Sequence, residues 1–162
     1  MTKSPFKAYD VRGLIPDQMN VPFAYRFGQA VAHMLKAKSI VVGHDMRLDS
    51  APFAEAISQG LMDSGVDVLP VGQCGTEEVY FHTDNSGADG GLMVTASHNP
   101  QDYNGIKMVL KGAKAATKEN ALGPLEELVM GDTQFAPVAY DQRGQKREVL
   151  DRSKYIGRLL NQ

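Results

Sequence analysis

The chain has 162 residues, which fits one domain or one domain plus the start of another. Its 17 basic and 19 acidic residues give a formal net charge of -2, without the basic stripe typical of nucleic-acid-binding proteins. The N-terminus does not resemble a secretory signal, no apolar stretch is long enough to span a membrane, and Cys74 is the single cysteine. We therefore expect a cytoplasmic protein without nucleic-acid or membrane partners.

The first half of the chain alternates segments of helical and of strand character. Apolar residues spaced three or four apart predict the helices, and Asn20 is placed to cap the first one. Short apolar runs predict buried strands. The predicted elements are an extended segment over 6–13, a helix over 21–37, a strand over 39–43, a helix from Asp49 or Ser50 to Gly65, and a strand over 66–71.

The second half continues the alternation, which indicates an α/β fold with a mixed four-stranded sheet sandwiched between helices. We assign residues 1–150 to one domain and 151–162 to the start of a linker or helix toward a second domain. The predicted elements are a short helix over 77–83, strands over 90–96 and 105–110, a short helix over 124–130, a charged extended segment over 138–149, and a helix over 151–160.

The strand over 90–96 leads directly into a polar loop that begins at Ser97. Ligands of open α/β sheets bind at strand ends and in the loops after them. Residues 102–105 predict a turn, in which the pair Asn104-Gly105 readily takes positive φ. The chain would then return beside the outgoing strand and bring Lys107 near Ser97. A hydroxyl nucleophile and an ammonium group in one small site suit phosphoryl transfer. His98 and Asn99 would then receive the phosphoryl oxygens.

The run Thr95-Ala96-Ser97-His98-Asn99-Pro100, with Asn104-Gly105-Ile106-Lys107 after it, resembles the active-site loop of the α-D-phosphohexomutases. Asp102-Tyr103 within this loop is most like the bacterial phosphomannomutases. The resemblance implies the N-terminal domain of such an enzyme and extends firmly from about Phe6 to Leu110. Further segments that agree in order and spacing are 6–13, 41–47 and 75–78.

The resemblance also implies a mechanism, in which Ser97 carries a phosphoryl group and passes it to a hexose phosphate. The resulting hexose 1,6-bisphosphate turns around and returns its other phosphoryl group, so that hexose 6-phosphate and hexose 1-phosphate, most simply those of mannose, are interconverted. Such an enzyme is an isomerase that acts by intramolecular phosphoryl transfer. The implied roles are Lys107 as acid–base catalyst, His98 as support for the phosphoserine or the proton, Arg12 as a catalytic and substrate-binding cation, and Tyr9 and Asn99 as substrate-binding residues.

The family's cofactor is Mg²⁺, and the resemblance implies that it is held partly by the phosphate on Ser97. Family members have four domains, and their metal-binding aspartates lie in the second. No Asp-Gly-Asp-Gly-Asp run is present in this sequence. We therefore expect the missing metal ligands, and most of the sugar site, to come from the remaining mutase domains. The chain alone is predicted to lack mutase turnover.

Two alternatives to a phosphomannomutase stay open. The first is a phosphoglucomutase or an enzyme of dual specificity, and the second is a naturally short, non-catalytic module that binds phosphosugars or mutase subunits. Arg47 stays outside the predicted catalytic set, and the adjacent pair His44-Asp45 makes a poor metal chelate. Cys74 is predicted to be a small packed residue, and His82 a surface or packing residue.

Overall fold

The computed structural model describes residues 3–148 and 151–161, and its helices and strands alternate along most of the chain. The helices are α1 (Val21–Leu35), α2 (Ser50–Asp63), α3 (Thr76–Ser86), α4 (Gly123–Met130) and α5 (Arg152–Leu160). The strands are β1 (Val11–Leu14), β2 (Ser39–His44), β3 (Asp67–Gln73), β4 (Gly90–Val94), β5 (Tyr103–Leu110) and β6 (Lys114–Ala115).

The strands form one mixed sheet in the order β1-β5-β4-β2-β3, with β6 also paired to β5. The parallel pairs are β2–β3 and β2–β4, and the other pairs are antiparallel. The α/β class and the mixed sheet are confirmed, but the expected number of four strands is wrong, because β1 and β6 join the sheet as well. Both are short and mix polar with apolar side chains, so their membership depends on backbone pairing with β5 and not on a hydrophobic pattern.

The two faces of the sheet pack against different helices. Val42 on β2 points into the larger core beside α1, α2 and α4, whereas Val41 points into a smaller core beneath α3. The same alternation on β5 places Ile106 and Met108 in the larger core. Lys107, between them, therefore emerges on the α3 face of the sheet.

The predicted start of α1 is confirmed, because the side chain of Asn20 accepts a hydrogen bond of 2.9 Å from the backbone N–H of Phe23. Helices α1 and α2 cross at two glycines, Gly28 and Gly60. A Cβ atom on Gly60 would lie 2.1 Å from the carbonyl oxygen of Tyr25, so the two backbones touch at this point. This close crossing fixes α1 and α2 on one face of the sheet.

The turn predicted over 102–105 is confirmed at Asp102 and wrong for Asn104 and Gly105, which lie in β5. The chain reverses earlier, in the loop over 97–102, and the residue with positive φ there is Ser97, at 54°. Gly105 instead lets β1 pack closely against β5, because a Cβ atom at this position would lie 2.4 Å from the carbonyl oxygen of Val11 on β1. Any larger residue would push β1 away from β5.

The charged segment after α4 runs beside the edge strand β3. Over its described residues, 131–148, it contains a 3-10 turn, Tyr140–Gln142, and then joins β3 through a bridge between Lys146 and Val68. Residues 149 and 150, where the predicted segment and the predicted domain end, lie outside the described residues. In the part of the chain that the structure describes, none of the helices combines the length and apolar character that a membrane span needs.

Candidate active site

A cavity of about 700 Å³ opens where β2 and β4 end, at one edge of the sheet. The two strands are parallel, so the polar loops that follow them meet at the same edge. Three of the predicted site residues on the loop, Ser97, His98 and Asn99, line this cavity, and Lys107 of β5 lines it as well. The structure therefore brings together four of the six predicted site residues.

Ser97 stands three residues beyond the last residue of β4 and is exposed in the cavity. Its φ of 54° is unfavourable for a residue with a Cβ atom. The backbone N–H of Ser97 donates a hydrogen bond of 3.0 Å to the hydroxyl of Thr95, which helps to hold this conformation. A strained backbone that presents a hydroxyl to a cavity is a feature of functional sites.

Asp45, at the end of β2, holds the base of the loop. One of its carboxylate oxygens accepts a hydrogen bond of 2.7 Å from the hydroxyl of Thr95. The other accepts one of 2.6 Å from the hydroxyl of Ser50, at the start of α2. Ser50 in turn accepts a hydrogen bond of 3.0 Å from the buried amide of Asn104. This chain of bonds ties β2, α2, β4 and β5 to one another directly beneath Ser97.

Lys107 lies in β5 opposite Met93 of β4 and is partly buried. The antiparallel pairing of β5 with β4 is the one predicted from the sequence, in which the returning strand runs beside the outgoing strand. Its side chain lines both the cavity and a neighbouring depression that contains Tyr9. Lys107 therefore stands between the cavity with Ser97 and the depression with Tyr9.

Arg12 and Tyr9 do not line the cavity with Ser97. Arg12 lies in β1, is paired with Asp10 at 2.6 Å, and lines a separate depression whose wall includes Tyr103. Because Tyr103 also lines the main cavity, this depression adjoins it. Tyr9, which is 74% exposed, presents its ring to solvent at the edge of its own depression.

His98 is exposed at the cavity, whereas the side chain of Asn99 takes part in the turn. The Nδ2 atom of Asn99 donates a hydrogen bond of 2.8 Å to the carbonyl oxygen of Ala96. Asn99 therefore helps to shape the loop as well as lining the cavity.

Arg47 is the residue that the sequence reasoning left out. Its guanidinium donates hydrogen bonds to four backbone carbonyls of the loop, those of Ser97, Asn99, Pro100 and Tyr103. The available signal was its place two residues after Asp45, in the loop that follows β2. Position alone does not reveal a contact with a segment 50 residues farther along the chain.

Cys74 lines the cavity but is not a candidate nucleophile. Burial, together with the nearby carboxylate of Glu78, raises the pKa of the Cys74 thiol to about 11. Its sulfur packs 3.9 Å from that of Met93. The thiol is therefore protonated near neutral pH and serves as a packed apolar group, as predicted.

The described residues do not provide a complete metal site. Across residues 3–148 and 151–161, no three His, Cys, Asp or Glu side chains are grouped so that they could hold a metal ion. The carboxylate of Asp45 lines the cavity, but both its oxygens accept hydrogen bonds from hydroxyl groups.

The chain is similar to known proteins in sequence. Residues 3–124 match the family described as phosphoglucomutase/phosphomannomutase, α/β/α domain I. A phosphomannomutase from Salmonella typhimurium is 46% identical over 162 residues, which cover 99% of this chain and 35% of that protein. A phosphomannomutase sequence from Klebsiella pneumoniae is 45% identical over 151 residues, which cover 93% of this chain and 96% of that sequence. The chain thus spans about a third of the length of the Salmonella relative.

The fold is also similar to solved structures. A phosphoglucomutase/phosphomannomutase family protein from Burkholderia thailandensis superimposes with a TM-score of 0.83 at 32% identity, covering 99% of this chain and 36% of that one. A structure described as a putative phosphomannomutase from Thermus thermophilus gives 0.79 at 28% identity, with the same two coverages. The match extends over nearly the whole chain.

Proposed function

The chain belongs to the phosphoglucomutase/phosphomannomutase family and carries its α/β/α domain I, and on this premise we propose that Ser97 is the phosphoryl-carrying serine of a phosphohexomutase. The observation that carries the proposal is the position of Ser97, exposed beyond a buried central strand and in one cavity with His98 and Lys107. We assign the hexose as mannose, since the relatives from Salmonella and Klebsiella are named phosphomannomutases.

In the proposed reaction, a hydroxyl oxygen of the hexose phosphate attacks the phosphorus carried by Ser97. A new O–P bond forms while the bond between phosphorus and the serine Oγ breaks. The ammonium of Lys107 gives a proton to the Ser97 oxygen as that oxygen leaves and takes up the proton of the attacking hydroxyl, so Lys107 ends the step as an ammonium again. The hexose 1,6-bisphosphate turns around, and the same steps run in reverse from its other phosphate, which restores the phosphoserine.

The remaining predicted residues have supporting roles. His98 lies at the cavity, where its imidazole would steady the phosphoserine or the transferred proton. Arg12 and Tyr9 lie in depressions that share Tyr103 and Lys107 with the cavity, so they would bind the parts of a substrate that extend beyond it. Asn99 would contact the substrate from the loop.

Cationic side chains at and beside the cavity support an anionic substrate. In the cavity, Lys107 stands among two carboxylates, whereas cations outnumber carboxylates in an adjoining depression, which is lined by Lys3, Lys7, Arg12 and Asp17. A transferred phosphoryl group is stabilised chiefly by such positioned cations. This arrangement is expected of a site that binds a sugar carrying one or two phosphates.

We further propose that the site is completed by other domains of a longer polypeptide, because the chain spans about a third of its Salmonella relative. Mg²⁺ would contact this chain only through the phosphate on Ser97, with its protein ligands supplied by those domains. Mutase turnover by this chain alone is expected to be negligible. The division at residue 150 and the cytoplasmic location stay predictions.

Specificity for glucose, or for both sugars, remains the alternative with a specific observation in its favour. A relative from Xanthomonas campestris, 44% identical over 161 residues, carries the name phosphohexose mutases, which specifies no particular hexose. Comparing mannose 1-phosphate with glucose 1-phosphate as substrates of the longer polypeptide would decide between these alternatives.

The carrier role of Ser97 is tested by incubating the purified chain with glucose 1,6-bisphosphate and Mg²⁺ and following its intact mass. We expect a slow gain of one phosphoryl group, which peptide mapping assigns to Ser97, and no conversion of hexose 6-phosphate to hexose 1-phosphate. The variant Ser97→Ala should gain nothing. A chain that gains no phosphoryl group would argue against Ser97 as carrier and leave a phosphosugar-binding module, which calorimetry with mannose 6-phosphate would reveal.

A further inference from the structure

One arginine holds the whole loop that carries Ser97. The guanidinium of Arg47 donates hydrogen bonds of 3.0 Å to the carbonyl oxygen of Ser97, 2.6 Å to that of Asn99, 2.8 Å to that of Pro100 and 3.2 Å to that of Tyr103. These acceptors span the loop from its first residue to the start of β5. A single side chain therefore sets the path of the backbone between the two strands.

Arg47 is itself fixed from behind. Its Nε atom lies 3.6 Å from the carboxylate of Asp45, and its backbone N–H donates a hydrogen bond of 3.0 Å to the same carboxylate. Asp45 is bonded to the hydroxyls of Ser50 and Thr95, which belong to the framework of the sheet and α2. The Arg47 side chain is only 19% exposed, so the guanidinium cannot move far without breaking these contacts.

The direction of the four carbonyls matters for an anionic ligand. In a trans peptide, the N–H of the next residue points opposite to the C=O. Because the carbonyls of Ser97 and Pro100 point at Arg47, the N–H groups of His98 and Gln101 point away from it. Carbonyl oxygens repel a phosphoryl group, whereas N–H groups attract one. The guanidinium of Arg47 therefore binds the loop carbonyl oxygens, which would otherwise repel a phosphoryl group.

We propose that Arg47 is a positioning residue for phosphoryl transfer at Ser97. It keeps four carbonyl oxygens of the loop away from the phosphoryl group and holds the N–H groups of His98 and Gln101 in a fixed direction. Arg47 lines the cavity, but both its terminal nitrogens donate to the loop carbonyls, so Arg47 acts through the backbone and not by binding the substrate. The inference rests on the proposed carrier role of Ser97.

The geometry explains why an arginine is required here. A guanidinium offers five N–H donors in a rigid plane, and Arg47 uses it to reach four acceptors at once. A lysine has the same charge but only three donors on a flexible stem. The substitution Arg47→Lys therefore preserves the charge beside the cavity and removes the fixed geometry.

The chain contains a matched control in Arg26 of α1. Its guanidinium also donates to four backbone carbonyls, those of Leu128, Val129, Gly131 and Thr133, at the end of α4. None of these residues lines the cavity with Ser97. Arg26→Lys therefore removes an equivalent set of bonds elsewhere in the fold.

The experiment compares the wild-type chain, Arg47→Lys and Arg26→Lys in two measurements. The first is hydrogen exchange of the backbone amides, and the second is the rate at which Ser97 gains a phosphoryl group from glucose 1,6-bisphosphate with Mg²⁺. Thermal unfolding identifies a temperature at which all three chains are folded. Both measurements are made at that temperature.

We expect Arg47→Lys to speed exchange at the hydrogen-bonded loop amides of Ser97, Asn99 and Tyr103 at least roughly tenfold. It should also slow phosphorylation of Ser97 by roughly 10²-fold, the scale of a displacement of about 1 Å in a reacting group. Arg26→Lys should instead speed exchange only near the end of α4 and leave the phosphorylation rate within about twofold of wild type.

Two failures are distinguishable. If the wild-type chain and Arg47→Lys gain the phosphoryl group at the same rate, Arg47 is not a positioning residue, while the carrier role of Ser97 stands. If the wild-type chain gains no phosphoryl group, the carrier role of Ser97 fails, and the proposed catalytic role of Arg47 fails with it, whatever the exchange at the loop amides.

Discussion

The hydroxyl of Thr95 accepts a hydrogen bond of 3.0 Å from the backbone N–H of Ser97. The same hydroxyl donates one of 2.7 Å to Asp45, so its proton and one lone pair are both assigned. Thr95 is buried, whereas Ser97 is exposed. A buried hydroxyl that both donates and accepts a hydrogen bond therefore fixes the backbone of the exposed serine that we propose as phosphoryl carrier.

Replacing Thr95 with valine tests this relationship. Thr95→Val keeps the shape of the side chain but leaves the Ser97 N–H and one oxygen of Asp45 without this partner. We expect a loss of about 1–3 kcal/mol in the free energy of unfolding and slower phosphorylation of Ser97. Denaturant unfolding and intact mass measure the two effects. Thr95→Ser retains the hydroxyl and should behave like wild type in both.

The positive φ of Ser97 predicts an unusual order of stability. At 54°, a residue with a Cβ atom is strained and glycine is not. We expect Ser97→Gly to be more stable to denaturant than Ser97→Ala, by up to about 1 kcal/mol, although neither can be phosphorylated there. The neighbouring Ala96→Gly should instead destabilise the chain. Equal stability of the two Ser97 variants would contradict the strain.

The crossing of α1 and α2 predicts a strict requirement for glycine. A Cβ atom at Gly60 would lie 2.1 Å from the carbonyl oxygen of Tyr25, so Gly60→Ala must push the helices apart. We expect a loss of about 2 kcal/mol in the free energy of unfolding. Gly157→Ala in α5, where no atom lies within 4 Å of the added Cβ, should be neutral or stabilising by up to about 1 kcal/mol. Denaturant unfolding of both variants makes the comparison.

Buried His82 predicts a loss of stability as the pH falls. Burial lowers its pKa, opposed by Glu78 and assisted by Arg152, and its Nε2 atom has no hydrogen-bond partner among the described residues. Near pH 6.5, His82 therefore binds a proton more readily in the unfolded chain than in the folded chain. The free energy of unfolding should fall as the pH drops from about 7.5 through about 6.5.

The pH dependence is measured by denaturant unfolding across that range. His82→Phe removes the titrating group and its unpartnered nitrogen, so the variant should lose much of the slope. Exposed His33 is the matched control, and His33→Gln should leave the slope unchanged. A slope that survives in His82→Phe would assign the effect to other groups.

Local pattern was sufficient for several parts of the fold. The cap at Asn20 is confirmed, and so is the pairing of the strand before Ser97 with the strand that contains Lys107. Each depends on short-range preferences, such as a side chain that caps its own helix or an apolar run that turns back on itself. The loop with Ser97 is predicted as the chemical centre from its place after a buried strand and from its resemblance to the active-site loop of the phosphohexomutases, and this role stays a prediction.

The sequence by itself determined the α/β class, most helices and strands, and the place of Ser97 and Lys107 at one edge of the sheet. Only the tertiary structure decided that β1 joins the sheet, that Ser97 and not the Asn104-Gly105 pair takes the positive φ, and that Arg47 holds the loop. The physical reason is the range of the interactions. The carbonyls that Arg47 binds lie 50 to 56 residues away along the chain, and their positions exist only once the strands have paired.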